Sequence, residues 1–256
     1  MKKRLVCLLA IGAMLLSGCG MAGNITVNED GTYTTTSRMY YTEEELATLN
    51  SEEYSGGADT GLTADKAVEV IEKNGVKYYG FDDDENASSA ADTLEESDYG
   101  LTPGGFFMDT TLASDEDLEM AASMYDMFDF MDVSITFPEE LTVANVNLSD
   151  DKKTVLLTKE DYKKFTKLYA FSEKTLDNDK KGPFALNAND QKKIKNNKKY
   201  KKGLVLQFAD NATGIKTSKL DGKKVTNGVT VKKKGTHKLV LEDYAGNTST
   251  IKFTIK

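Results

Sequence analysis

Hydrophobic and polar positions follow different patterns in the two parts of this 256-residue chain. Between residues 25 and 172, short alternating runs are mixed with stretches of helical spacing, whereas from residue 183 onward the pattern alternates throughout. At the C-terminus Ile251, Phe253 and Ile255 alternate with lysine and threonine, which is typical of a strand with one buried face. The pattern predicts an α+β domain, an antiparallel sheet with helices, followed by an all-β sandwich.

The first part is expected to contain two hairpins, further strands and three helices. The first hairpin covers 25–41, with Asp30-Gly31 at its turn. Thr42 and Glu45 fit a capping box at the start of the first helix. Other helices are expected over 63–74 and 114–128, strands over 76–81, 100–111 and 129–137, a second hairpin over 141–158, and a strand or a helix over 165–171.

The N-terminus has the three parts of an export signal: basic residues at 2–4, an apolar run of 12 residues (Leu5–Leu16), and the small residues Ser17 and Gly18. A helix of this length spans about 18 Å, which is too short for the roughly 30 Å core of a bilayer. The next residue is Cys19, and Leu16-Ser17-Gly18-Cys19 resembles the lipobox of bacterial lipoproteins. The resemblance implies that residues 1–18 are a signal peptide and that Cys19 carries lipid; an ordinary signal with a chance cysteine is the alternative.

A lipid on Cys19 would place the protein at the extracytoplasmic face of the bacterial cell membrane. The other cysteine, Cys7, would leave with the signal. The mature chain would then have no thiol for a disulfide, a metal site or a nucleophile, so its fold depends on the burial of a hydrophobic core.

The net charge of −8 conceals a strong division along the chain. Residues 20–150 contain 30 acidic and 4 basic side chains, whereas residues 151–256 contain 11 acidic and 26 basic ones. Such asymmetry is typical of separate modules. In an exported protein the basic part could bind an anionic cell-wall polymer or acidic lipid headgroups rather than nucleic acid, although solvated lysines on exposed strand faces explain it better.

Residues 19–172 resemble the LppM-type lipoprotein domain. The resemblance rests on Ile25–Gly31 after the anchor, and on Val133–Pro138, Asn145 and Ser149–Val155 near the end of the domain. It implies an α+β domain of the envelope without an established enzyme activity.

Residues 173–182 are polar and are expected to form a linker, and residues 183–256 resemble the bacterial Ig-like domains of cell-surface proteins. The residues that carry the second resemblance are Phe208–Ile215, Leu220–Val225, Gly235–Leu239 and Asp243–Asn247. It implies a β-sandwich that acts in binding or spacing.

Three groups of residues suggest metal ligands but favour a simpler interpretation. Four methionines at helical spacing, at positions 120, 124, 127 and 131, could bind Cu(I), although core packing explains them better. Asp177–Gly182 begins like a calcium loop but lacks oxygen ligands at its fifth and twelfth positions, and the acidic segment 82–86 is better explained as a solvated loop.

Catalytic chemistry receives no support from the sequence. His237 is the single histidine and is expected to be a partly buried structural residue. Cys19 is therefore the one site residue assigned, with no catalytic residue, cofactor or metal.

We expect a non-enzymatic lipoprotein of the envelope that is anchored in the membrane and acts as a binding protein or a spacer. The sequence does not determine its oligomeric state. The alternatives are a carrier of lipid or a small hydrophobic ligand, and a carboxylate-dependent wall-glycan hydrolase.

Overall fold

The computed structural model describes residues 19–51, 61–82, 92–93, 101–109, 119, 122–123, 125–164, 167–210 and 212–256. Three predicted features lie outside these residues: the signal peptide, nearly all of the acidic loop at 82–86, and most of the helix expected over 114–128. In the part that is described, no helix is both long and apolar enough to cross a bilayer.

The fold is mostly β, with strands over 52% of the described residues and few helices. The strands in chain order are β1 (Gly20–Val27), β2 (Thr32–Tyr41), β3 (Glu69–Lys73), β4 (Val76–Asp82), β5 (Asp92–Thr93), β6 (Leu101–Thr102), β7 (Gly105–Asp109), β8 (Phe130–Thr136), β9 (Leu141–Ala144), β10 (Asn147–Leu148), β11 (Thr154–Thr158), β12 (Lys167–Ser172), β13 (Phe184–Asn187), β14 (Lys198–Tyr200), β15 (Leu204–Ala209), β16 (Ile215–Leu220), β17 (Lys223–Lys224), β18 (Thr230–Val231), β19 (Gly235–Asp243) and β20 (Thr248–Ile255). The described helices are α1 (Glu43–Leu49), α2 (Lys159–Lys164), α3 (Glu173–Asn178) and a 3₁₀ turn at Ala64–Lys66.

The predicted first hairpin and the helix that follows it are confirmed. Strands β1 and β2 pair in antiparallel register from Gly20↔Tyr40 to Val27↔Tyr33. The Thr42 hydroxyl accepts a hydrogen bond from the backbone N–H of Glu45, whose carboxylate accepts one from the Thr42 N–H, so α1 begins with a complete capping box.

The helix expected over 63–74 is wrong, because this segment forms a 3₁₀ turn followed by strand β3. Asn74 and Gly75 have positive φ angles of 53° and 78°, as a two-residue type I′ turn requires, and β3 pairs with β4 from Lys73↔Val76 to Glu69↔Gly80. Asn-Gly thus forms a hairpin turn and does not end a helix. The β-branched residues before it favour the strand, in which they pack better than in a helix.

Three further expectations change in the second half of the α+β segment. The single strand expected over 141–148 is two strands: β9 pairs with β12, and β10 pairs with β11. The ambiguous segment 165–171 contains strand β12, and the predicted linker contains helix α3. The hydrophobic pattern cannot distinguish strands of one sheet from strands of two, because both alternate with period two.

The described chain forms two compact units that do not follow chain order. The first comprises residues up to 94, 115–138 and 146–165. Its main sheet has the order β10-β11-β8-β1-β2-β4-β3, in which β1 and β8 are parallel, and β5 pairs with β2. Tyr40, Tyr78 and Phe130 form one apolar cluster, and Met21 and Met131 belong to another. Because neighbouring strand residues face opposite sides, the sheet is packed on both faces.

The second unit comprises residues 95–114, 139–145 and 166–256, so it includes parts of the predicted first domain. One sheet has the order β6-β7-β12-β9. The rings of Tyr169 and Phe171 in β12 lie 4.1 and 5.7 Å from that of Tyr244, which follows β19. Two further sheets, β13-β15-β18 and β14-β20-β19-β16-β17, share one hydrophobic core. Phe253 and Leu206 are fully buried in it, one from each sheet.

Candidate cation site in the second unit

Cys19, the predicted anchor, lies at the start of β1 and is buried beside Met21, Phe128 and Met131. Its carbonyl accepts a hydrogen bond from the Asp129 N–H. Burial raises the pKa of the Cys19 thiol to about 11, so this thiol is neutral at physiological pH. Met131 is fully buried here as a core residue, and Met120 and Met124 of the methionine pattern lie outside the described residues.

His237 is buried in β19 with acceptors at both ring nitrogens. Nδ1 lies 2.7 Å from Asp221 Oδ2 and Nε2 lies 2.8 Å from the Lys233 carbonyl oxygen. Asp221 loses hydration on burial, which raises its pKa, but the hydrogen bonds from the Lys238 N–H and from His237 hold that pKa below its usual value. The contacts agree with the structural role expected for this histidine.

Three aspartates from separate segments meet in the second unit. Asp179 follows α3, Asp210 follows β15, and Asp243 ends β19. One carboxylate oxygen from each lies within 4.8 Å of the other two. Two ligands on opposite sides of a Ca²⁺ ion at about 2.4 Å are about 4.8 Å apart, so this spacing suits a shared cation.

Local turns hold each of the three carboxylates. Asp210 Oδ2 accepts hydrogen bonds from the backbone N–H groups of Ala212, Thr213 and Gly214, at 2.9, 2.9 and 3.1 Å. Asp243 accepts from the Asn247 N–H at 2.7 Å and from its side-chain amide at 3.0 Å. The chain therefore positions the acids before any ligand arrives.

Asp179 connects the end of α3 to this site. Its Oδ2 accepts a 2.7 Å hydrogen bond from the buried Thr213 hydroxyl, and its carbonyl oxygen accepts one from the Asn247 amide. A carbonyl oxygen next to the carboxylates adds to the oxygen-rich surroundings that calcium prefers.

The electrostatics of the cluster are unfavourable without a cation. Asp243 is fully buried and Asp179 is 6% exposed, and within the described residues none of the three forms an ion pair with a basic side chain. Burial raises the pKa of Asp243, the Asn247 hydrogen bonds lower it, and the charges of Asp179 and Asp210 raise it, leaving it above its usual value. Asp210 Oδ1 is buried and accepts no hydrogen bond. A divalent cation would offset most of the negative charge and give this oxygen a partner.

The sequence does not predict this site, because its three acids do not belong to a continuous calcium loop. Asp177–Gly182 lacks the later oxygen ligands of such a loop, and no sequence pattern connects Asp179 with Asp210 and Asp243. The available signals were the Asx turn at Asp210 and the Asp243–Asn247 turn, which mark these two acids as fixed in position.

An open groove of about 650 Å³ in the second unit is lined by polar residues alone: Glu139, Glu140, Thr142, Ser172, Glu173, Lys174, Asp177 and Asn178. Partial burial raises the pKa of Glu139, but hydrogen bonds from Lys174 and Ser172 lower it below its usual value. This carboxylate is therefore ionised at neutral pH and unsuited to act as a general acid.

Comparison with known proteins gives weak structural similarity alone. No family model matches the chain, and no curated protein matches it. Among solved structures, the folded domain of Mycobacterium tuberculosis LppM matches with a TM-score of 0.26 and 15% identity, over 63% of this chain and 94% of that domain. A TM-score this low carries no assignment of fold or function.

Proposed function

We propose that this chain is a non-catalytic lipoprotein of the bacterial envelope, held at the outer face of the cell membrane by lipid on Cys19. Residues 19–172 would supply an LppM-like domain and residues 183–256 an Ig-like sandwich. The second unit acts in binding or spacing, with an anionic envelope polymer as its partner and a divalent cation at Asp179, Asp210 and Asp243 as part of its structure.

The observation that carries the proposal is the group of three carboxylates, of which two are buried and one is partly buried. Such a cluster costs stability unless a cation compensates it. Extracellular modules bind calcium with dissociation constants of about 10⁻⁴ to 10⁻³ M, which suits the calcium available outside cells and not the lower levels inside them. A weak structural calcium site is thus consistent with an exported protein.

Calcium binding to the mature chain, Cys19 to Lys256, tests the cation site directly. Isothermal titration after chelator treatment is expected to show one Ca²⁺ per chain in the sub-millimolar to millimolar range, with weaker binding of Mg²⁺, which releases its water ligands reluctantly. Titrations without binding at 10 mM calcium would contradict the proposal.

The position of Cys19 adds a requirement to the lipid anchor. Its side chain is buried among Met21, Phe128 and Met131, where a diacylglyceryl group has no space. In the proposed mature protein Cys19 is the first residue, so it must leave this cluster and direct its two acyl chains into the membrane. Two acyl chains suffice for stable attachment.

Replacing the anchor is expected to release the protein from membranes. Cys19→Ala removes the thiol that would carry lipid, so the variant should remain unprocessed or appear in the soluble fraction. The measurement is cell fractionation with a mass determination of the N-terminal peptide. Cys7→Ala is the matched control, because Cys7 lies inside the predicted signal and should leave processing unchanged. A Cys19→Ala protein that is cleaved and retained like wild type would rule out the anchor.

A further inference from the structure

A row of lysines crosses the outward face of the sheet β14-β20-β19-β16-β17. Alternate residues of this sheet point into the core, as Leu239, Leu241 and Phe253 do, and the residues between them point outward. Each of the five strands contributes one exposed lysine to the outward face: Lys199, Lys252, Lys238, Lys219 and Lys224, in strand order.

The strand register places these lysines next to each other. Lys238 lies directly opposite Lys252, and Lys219 lies directly opposite Lys224. Lys219 is paired with Val240, two residues from Lys238, so the two lysine pairs are diagonal neighbours. Lys199 is paired with Thr254, two residues from Lys252, so all five lysines are direct or diagonal neighbours on strands about 4.8 Å apart.

Two directly opposed lysine pairs are an energetic cost that the fold does not explain. Like charges opposite each other on neighbouring strands destabilise a sheet. None of the five lysines forms an ion pair with another described residue. The two nearby carboxylates are already engaged: Glu242 with Lys216 and Thr217, and Asp221 with His237 and the Lys238 N–H.

We propose that this lysine row binds a linear polymer that carries phosphate groups at regular intervals. Residues 183–256 contain 17 lysines and no arginine. Lysine binds phosphate as a point charge and does not need the bidentate geometry of arginine, so a row of lysines suits phosphates that are not fixed in one orientation. That the polymer belongs to the bacterial envelope rests on the proposed function; the choice of phosphate rests on the lysine row alone.

The outward face favours a polymer over a membrane surface. Small residues flank the lysines, including Thr236, Thr250 and Thr254, so the ammonium groups extend beyond their surroundings. No large hydrophobic side chain of the described residues 183–256 is prominently exposed, and a surface that inserts into lipid would need such groups. The row of single positive charges matches the regularly spaced phosphate charges of a linear polymer.

The test compares two double variants of the mature chain that remove equal charge. Lys238→Gln with Lys252→Gln removes one opposed pair of the row; Lys232→Gln with Lys234→Gln removes two exposed lysines from the loop before β19 and serves as the control. The probe is long-chain inorganic polyphosphate, with binding measured at two salt concentrations. The row variant is expected to bind roughly tenfold more weakly and with less salt dependence, and the control less than threefold more weakly.

Thermal unfolding separates loss of binding from loss of structure. The row variant should unfold at the same temperature as wild type or a higher one, since it loses a like-charge contact. Equal weakening by both double variants, or no binding by wild type, would overturn the proposal. Row-dependent binding that is tighter to phosphatidylglycerol vesicles than to polyphosphate would overturn it in favour of a membrane surface. Each result is independent of the Cys19 fractionation, so anchoring and polymer binding can fail separately.

Discussion

Asp210→Asn is expected to stabilise the cation-free protein and to abolish its response to calcium. The asparagine oxygen can keep the three hydrogen bonds from Ala212, Thr213 and Gly214. Its amide nitrogen would replace the buried Oδ1 that accepts no hydrogen bond, remove one negative charge, and donate towards the neighbouring carboxylates. Relief of an unsatisfied buried acceptor is worth about 1–3 kcal/mol.

Wild type should show the opposite dependence on calcium. With a dissociation constant of about 10⁻⁴ to 10⁻³ M, 10 mM Ca²⁺ stabilises the folded state by about 1.5–3 kcal/mol, or roughly 3–10 °C in the unfolding temperature. The measurement is thermal unfolding with chelator and with calcium. Asp190→Asn, at an exposed turn of the same unit, is the control and should respond like wild type. A variant that still gains stability from calcium would exclude Asp210 as a ligand.

The pH dependence of the cation-free protein follows from the same site. The pKa of Asp243 is raised by folding, so this group favours the folded state below its unfolded pKa, and the benefit disappears as pH rises through the raised folded value. In chelator, Asp243 should therefore make the protein more stable at mildly acidic than at neutral pH. Calcium binds the ionised form and should remove this preference, which urea unfolding at two pH values can measure.

Gly105→Ala is expected to destabilise the second unit severely, by about 3 kcal/mol or more. A Cβ on Gly105 would lie 2.2 Å from the Ala170 carbonyl oxygen and 2.9 Å from the Phe171 Cα, and the residue has a φ of +148°. The clash involves the backbone of β12, which pairs with β7 at Phe171↔Gly105, so no side-chain rotation can relieve it.

Gly235→Ala is the matched control for this effect. Gly235 also begins a strand and has a positive φ, +124°, but a Cβ there meets no atom within 4 Å. Its destabilisation should reflect backbone strain alone, about 1–3 kcal/mol at most. Urea unfolding of both variants gives the difference due to the clash, and equal losses would show that the approach of β7 to β12 is not tight.

Local signals predicted the elements that depend on local chemistry. The Thr42–Glu45 capping box and the Asp30-Gly31 turn specify their structures within a few residues, and both occur as expected. Asn74-Gly75 shows the limit of such signals, because Asn and Gly accept the positive φ of a helix end as well as that of a hairpin turn. The pairing partner Val76–Asp82 decides between the two.

The cation site and the lysine row depend on long-range arrangement. Asp179, Asp210 and Asp243 lie on three segments that meet only after two sheets have formed around one core. The lysines are visible in the sequence as a charge excess, but their alignment on one face follows from the strand register. A shift of one residue would turn these side chains to the opposite face of the sheet. Composition could therefore indicate an anionic partner without locating the surface.

The position of β20 governs when the five-stranded sheet can form. Strand β20 lies inside this sheet, between β14 and β19, although it follows both of them in the chain. A chain that emerges N-terminus first would deliver β20 after the other four strands, so the sheet and its lysine row could form only once β20 has emerged. Until then Leu239 and Leu241 of β19 would lack the Phe253 and Ile255 side chains that share their core, and the emerging chain would be prone to aggregation.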